Sequence, residues 1–572
     1  MSDDYGGEAP SDPAPLAAIV NVRGTEWGLF AQDTYQVTPR LTLIGGLRYE
    51  IPPNYHSTDL SGSTVNFKDG GQMVWANSSF TNTYSKYPGA NPNYLVCCAP
   101  STLAPNDRLD FAPRIGIAFR PLAHNDNLVI RVGYGIFYDN WERLYDLSNF
   151  TEDDIYTAVG APIPATTGDE SVSPLALKGL WLPPLLSGSI FTTPSYEFGP
   201  ETQWPDNHNP NNQQWNFDVQ YAFNQNLMLD VGYVGEHGID EETQYFWNKA
   251  TPPAVAGDPC NVLLDASQAT GSDASCLSDP NFSPVDTRTP YPNLAAGSYA
   301  NANVLWSHYN ALQATLSQRF SNGLTFNLAY SWTKAGDEEP ALINVIGTSA
   351  DDLIENPHDI AGDYGPATFD QTNRLVGSFA YQLPVGRGMR WSLGHHLNSI
   401  FGGWQTSGIY TIATGYPFTI FCCGGEDQFG GDWEDIVRPN LVGKQYTTGN
   451  VLDYFNTAAY ATPPAGRYGN LGTNTLTGPY LEDFDFSLQK NFQITERQTL
   501  AYRLEIFNLG STWHSDYGGA HNPSSNMTSS PVGCTPGPSG TCDFGSLVPL
   551  NGLGAGNLWN PRVLQMSLTY TF

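Results

Sequence analysis

"LVIRVGYGIFY", residues 128–138, divides into two faces when read alternately. Leu128, Ile130, Val132, Tyr134, Ile136 and Tyr138 share one side. Val129, Arg131, Gly133, Gly135 and Phe137 share the other, which is mostly small or polar. Side chains of an extended chain alternate across the backbone, so this strict period of two marks a strand with one apolar face. "LTFNLAYSW" (324–332) repeats the pattern, setting Leu324, Phe326, Leu328, Tyr330 and Trp332 against Thr325, Asn327, Ala329 and Ser331. So do "WNFDVQYAF" (215–223), "FDFSLQKNF" (484–492) and the closing "LQMSLTYTF" (564–572).

About thirteen such strands are predicted, near 26–37, 40–51, 109–120, 127–138, 212–223, 226–236, 309–320, 323–333, 372–383, 403–414, 481–492, 498–509 and 562–572. Strands of globular proteins average about 5–6 residues. These are about twice as long, close to the ~9–11 that a tilted strand needs to cross a bilayer. Arg48, Arg131, Arg319, Arg503 and Glu505 fall mid-strand on polar faces. A β-sandwich would alternate in the same way. Strand length, the 57 Gly and 31 Tyr, and aromatics at strand ends favour a barrel with a lipid-facing apolar side and a polar lumen.

The connections alternate as well. Short turns, "VTPR" (37–40), "PLAHND" (121–126), "NQ" (224–225), "SNG" (321–323) and "QITER" (493–497), are interleaved with long loops. That alternation belongs to outer-membrane barrels, which have tight periplasmic turns and long external loops. The connection "PVGRGMRWSLGHHLNSIFG" (384–402) is the longer exception on the short side. All eight cysteines (Cys97, Cys98, Cys260, Cys276, Cys422, Cys423, Cys534, Cys542) fall on the long-loop side, where oxidation is possible. Cys260 with Cys276 and Cys534 with Cys542 would each close a short local loop, while the two vicinal pairs stay unassigned. A zinc site is the competing reading, but no Cys-x-x-Cys pair or neighbouring His cluster supports it.

With 14% charged and 13% aromatic residues among 572, the chain is too apolar for disorder. A net charge of -31 argues against gripping a nucleic-acid backbone. The acids gather in apparent loops, as in "TEDD" (151–154), "DEE" (337–339), "DDLIENPHD" (351–359) and "GGEDQFGGDWED" (424–435). No run of ~18 apolar residues offers a transmembrane helix. "MSDDYGGEAPSDPAP" at the start has no apolar signal-peptide core. Residues 1–24 are expected to be loop-like or disordered, and 25–572 to form the barrel. The last strand ends on the turn side, so counting back through an odd number of strands puts the amino-terminus outside. Missing upstream sequence would account for that; an uncounted strand near "YPFTIF" (416–421) is the alternative.

"WGLFAQDTYQVTPRLTLIGGLRYE" (27–50) resembles the barrel hairpin of TonB-dependent outer-membrane transporters. "NPNNQQWNFDVQ", "LDVGYVGEHG", "YNALQATLSQRFSNGLTFNLAYSWTKA", "YGPATFDQTNRLVGSFAYQLP" and "DFDFSLQKNFQITERQTLAYRLEIFNL" look like the Oar-like branch of that family, and the likeness spans about residues 25–572. The resemblance implies a signal peptide, often a β-sandwich, a plug and a 22-strand barrel. This chain would be its carboxy-terminal portion, lacking the plug and about nine strands. It also implies that Leu568, Tyr570 and Phe572 form the terminal signal read by the barrel-assembly machinery. Physically, Phe572 can seat its ring at the membrane interface.

Catalytic patterns are missing from the sequence. "GLGAGN" (552–557) has no strand–helix context, and there is no H-E-x-x-H, G-x-S-x-G or Walker loop. "GHH" (394–396) could hold a metal, but adjacent histidines on a strand point apart. "DDLIENPHDIAGDYG" (351–365) could seat Ca²⁺, yet lacks EF-hand spacing, and a solvated acidic face is expected there. Carboxylate pairs near Trp181, Trp204 and Trp433 could suggest a glycosidase, but with 56 acids chance pairs abound. The expectation is therefore an all-β, antiparallel transmembrane β-barrel with long external loops, neither enzyme nor cofactor-dependent. It would bind and take up an external ligand at a Gram-negative outer membrane. Its implied partners are outer-membrane lipid and lipopolysaccharide, the assembly machinery, and the TonB complex if a plug is supplied. An adhesion or secretion-linked barrel is the alternative, and a secreted all-β lectin or hydrolase the third reading.

Overall fold

The computed structural model describes residues 25–52, 110–139 apart from His124, 208–262, 271–291, 300–338, 354–422 apart from Arg387, 437–509 apart from 451–452, and 562–572, with a few short strands between. Thirteen long strands form one antiparallel wall in strict chain order. They are β1 (Trp27–Thr38), β2 (Leu41–Ile51), β3 (Asp110–Phe119), β4 (Leu128–Tyr138), β5 (Asn211–Ala222), β6 (Leu227–Tyr245) and β7 (Ala300–Ser321). Then follow β8 (Leu324–Asp337), β9 (Asn373–Gln382), β10 (Trp404–Ala413), β11 (Leu481–Thr495), β12 (Gln498–Phe507) and β13 (Val563–Thr571). Thr202–Gln203 and Gly365–Pro366 attach to this sheet off the main path. Every strand expected from alternation is present. "YPFTIF" adds none to the wall, since Pro417–Phe418 pairs with Leu476–Thr477 in a separate two-stranded ribbon.

The ladders make the alternation continuous across strands. Trp215, Phe217, Val219 and Tyr221 of β5 stand opposite Tyr134, Val132, Ile130 and Leu128 of β4. On the other side they face Gly235, Tyr233, Val231 and Leu229 of β6. A one-residue slip would exchange the two faces of a strand, so the shared apolar face fixes the register. The opposite face gathers paired charges: Arg131 with Asp218 at 3.3 Å, Arg503 with Glu505 at 2.6 Å, and Arg48 with Glu50. Lys490 is a departure. Its register partner Trp404 places it on the apolar face of β11.

Strand ends differ sharply. On the short side Asn322 and Gly323 close β7 to β8 with φ of +52° and +82°, the left-handed pair that a tight hairpin turn requires and that Asn-Gly supplies at least cost. The 384–402 connection carries a short helix there, α1 (His395–Phe401), so the two histidines open a helix instead of lying on a strand. On the long side β6 and β7 run to 19 and 22 residues, about twice what a bilayer crossing needs. A bulge at Asp240, with φ of +58°, shifts the β6–β7 register where these extensions begin.

The sheet is open. Among the described residues β1 pairs only with β2, β13 pairs only with β12, and no ladder joins β1 to β13. Every residue of both edge strands is exposed.

Candidate functional site

Three long-side connections meet above the wall. The first follows β6 (246–299), the second follows β8 (338–372) and the third follows β10 (414–480). The third holds its own cluster of buried residues: Phe418, Ile420, Tyr454, Phe455, Ala459, Tyr460, Leu471 and Leu476. Tyr454 hydroxyl donates to Thr477 O at 2.9 Å, and burial pushes that phenol up to about 12.

A charged centre locks the second connection to the third. The Arg438 guanidinium lies 2.6 Å from Glu355 and 2.5 Å from Asp363. It also donates to Thr473 Oγ1 at 2.8 Å and Leu471 O at 2.9 Å, while its backbone N–H donates to Glu355 Oε1 at 2.7 Å. Burial raises the Glu355 carboxyl to about 7, with Arg438 pulling it back down, and raises Asp363 for the same reason. The stretch 351–365 was expected to be a solvated acidic face. Glu355 and Asp363 are instead buried and paired with Arg438, a partner 75 or more residues away that no local pattern announces.

The first connection is tied in by backbone acceptors. Arg467 donates to Pro253 O at 2.6 Å and Ala254 O at 3.3 Å, and Tyr245 hydroxyl donates to Pro357 O at 3.0 Å. Within it Cys260 and Cys276 are joined by a disulfide with Cα atoms 5.4 Å apart. Arg288 donates to Ser283 O at 3.0 Å and Asn261 O at 2.6 Å. Cys534 and Cys542 lie outside the described residues, as do Cys98, Cys423, Trp181 and Trp433.

At the long-loop end of the polar face is a cavity of about 820 Å³. Phe137, Glu236, Ser307, Tyr309 and Asp337 line it from β4, β6, β7 and β8, and Glu241 enters just past the Asp240 bulge. Five carboxylates (Asp139, Glu236, Glu241, Glu242 and Asp337) border it, and its described lining residues include no Lys or Arg. Glu241 accepts a hydrogen bond from Ser307 Oγ at 2.7 Å. Asp337 Oδ1 is buried without a hydrogen-bond partner among the described residues, a state that a buried polar atom rarely keeps without a role. No sequence motif marks this cavity. Its acids come from β6, β8 and the residue just past β4, and converge only through register and the bulge.

The terminal residues singled out in the sequence lie on the apolar face. Leu568 stands opposite Tyr502, and Tyr570 opposite Leu500. The Tyr570 and Phe572 rings stack with centroids 5.7 Å apart, and Phe572 is 91% exposed.

Residues 11–539 match a family described as "Outer membrane beta barrel domain". No curated protein matches the chain. Among solved structures the chain is similar to the copper transporter OprC, at 11% identity and a TM-score of 0.37, over 96% of this chain and 48% of that one. It is similar to the outer membrane transporter YddB of Escherichia coli, at 10% identity and a TM-score of 0.35, over 85% of this chain and 50% of that one. It is also similar to the ferric enterobactin receptor PfeA of Pseudomonas aeruginosa, at 10% identity and a TM-score of 0.34, over 85% of this chain and 40% of that one. The chain thus spans half or less of the length of each of these structures. The assignment of family rests on the domain match, which runs from ahead of β1 to beyond β12.

Proposed function

The chain belongs to the outer membrane β-barrel domain family, and from that membership we propose that it is a receptor and transporter barrel that captures an external solute. It lies in the outer membrane of a Gram-negative bacterium, with the long loops outside and the short turns in the periplasm. The observation that carries the functional reading is the acidic cavity at the long-loop end of the polar face. Five carboxylates on a lining whose described residues include no Lys or Arg, with the Asp337 Oδ1 atom buried without a hydrogen-bond partner among the described residues, suit a cationic solute or one that carries a metal.

By the same reading the barrel is of the Oar-like, TonB-dependent kind, and uptake draws energy from the inner membrane through a plug. Leu568, Tyr570 and Phe572 then present the strand end that the assembly machinery engages. The site performs no chemistry on its cargo.

The test has two parts. Purified barrel in detergent is titrated with divalent cations, ferric chelates and polyamines, beside a variant combining Glu241→Gln with Asp337→Asn. Saturable binding that the double variant weakens supports the reading; binding indifferent to both changes contradicts the site. Uptake by intact cells that stops when an uncoupler collapses the proton gradient supports energised transport, and uptake that continues contradicts it.

A further inference from the structure

The 384–402 connection is anomalous for a periplasmic turn in three ways. It exposes apolar side chains together: Met389, Trp391, Leu393, Leu397, Ile400 and Phe401 are each between 38% and 58% exposed. Within α1, Leu397, Ile400 and Phe401 follow the spacing that puts residues on one side of a helix. It also carries no Asp or Glu, although the chain has 56, and it holds Arg387, Arg390, His395 and His396.

Its position is set by Lys490. This amine stands on the lipid-facing side of β11, 5% exposed, and donates to Ser399 O at 2.6 Å and Ile400 O at 2.8 Å, the carbonyls ending α1. Trp404 Nε1 of β10 donates to the same Ile400 O at 2.9 Å. Lys490 also lies over the Phe492 ring at 4.5 Å. A cation at a helix carboxy-terminus satisfies carbonyls that have no partner within the helix. Here it fastens α1 to the outer side of the wall rather than the lumen side. Asn398 secures the other end, accepting from Leu393 N at 2.9 Å and donating to Ser392 Oγ at 2.9 Å.

We propose that residues 389–401 form an interfacial anchor, with Trp391, Leu397, Ile400 and Phe401 inserted among the phospholipids of the periplasmic leaflet and Arg390 at their headgroups. The occupant is lipid because the exposed face continues the apolar side of β10 and β11, the side that the barrel reading turns towards acyl chains. The charge agrees: a basic, acid-free stretch in an acidic protein complements anionic headgroups. Anchoring α1 also gives Lys490 a reason to sit on a face where a charge is otherwise costly. The proposal rests on the barrel reading for which face meets lipid and which end is periplasmic.

The test is photocrosslinking of the full chain in vesicles of phosphatidylethanolamine and phosphatidylglycerol. A benzophenone amino acid replaces Phe401, or Leu488 on the lipid-facing side of β11, or Ser407 on the polar face of β10. The expected result is a mass increase of one phospholipid at positions 401 and 488 and none at 407. Labelling at 488 without labelling at 401 overturns the anchor while leaving the barrel intact, and no labelling at 488 overturns the barrel reading itself. In cells, a protein adduct in place of lipid at 401 also overturns the anchor, since that face would then be a protein dock.

Discussion

Arg438 and Glu355 form a salt bridge at 2.6 Å with both side chains 5% exposed or less, joining two loops 83 positions apart in the chain. Removing one partner of such a pair leaves an uncompensated buried charge, which costs about 3–5 kcal/mol. Arg438→Met strands two carboxylates, Glu355 and Asp363, whereas Glu355→Gln keeps shape and hydrogen bonding. Hydrogen exchange at Ile420 and Phe455 is expected to accelerate strongly in Arg438→Met and much less in Glu355→Gln. Unchanged exchange in Arg438→Met would show that the cap formed by the packed second and third long-side connections does not depend on this centre.

The same centre makes the cap pH-dependent. Glu355 titrates near 4.5 when unfolded and at about 7 when buried, so between those values the folded cap binds the extra proton. Cap stability is therefore full below about pH 4.5, falls as pH rises towards 7, and levels off above it. Asp363, raised by burial as well, acts in the same direction. Limited proteolysis of the loops should be slower at pH 5 than at pH 8, with Glu355→Gln flattening the difference. A cap more resistant at pH 8 would reverse the sign and refute the assignment.

The Cys260–Cys276 disulfide has a sequence separation of 16, and a loop of that size contributes about 3 kcal/mol. Cys276→Ser should loosen the first connection, seen as faster proteolysis between residues 246 and 299, without unfolding the wall. Of eight cysteines this bridge removes two, so unreduced, denatured protein should titrate at most six thiols. Eight would mean the bridge is absent.

The wall was legible in the sequence because lipid on one side and water on the other impose a period of two that runs unbroken from Leu128 to Tyr138 or Leu324 to Trp332. The cap was not. Glu355, Asp363 and Arg438 read as scattered loop charges, since only three-dimensional packing brings them together. The upper parts of β6 and β7 escaped for a related reason: beyond the bilayer, residues such as Glu241, Glu242 and Asn303 no longer alternate. Lys490 interrupted an otherwise regular strand for a cause found on α1, outside the strand itself.

Both sheet edges lead to a further expectation. An unpaired backbone N–H or C=O in hydrocarbon costs several kcal/mol, so β1 and β13 cannot remain bare-edged in a bilayer. Outward-facing amides of both strands should exchange slowly in membrane-embedded protein, each paired with other strands. Exchange there at the rate of a solvated peptide would contradict the wall as a membrane structure.

The most direct measurement compares Leu328→Arg with Asn327→Arg, adjacent residues of β8 on opposite faces. Leu328 pairs with Leu316 and Gly377 on the apolar side, and Asn327 with Ser317 and Ser378 on the polar side. Arginine facing lipid near the bilayer midplane costs about 2–4 kcal/mol, while the polar face tolerates it. Reversible unfolding from phospholipid vesicles should show that loss for Leu328→Arg and little change for Asn327→Arg. Equal losses, or the larger loss at Asn327, would contradict a lipid-facing wall.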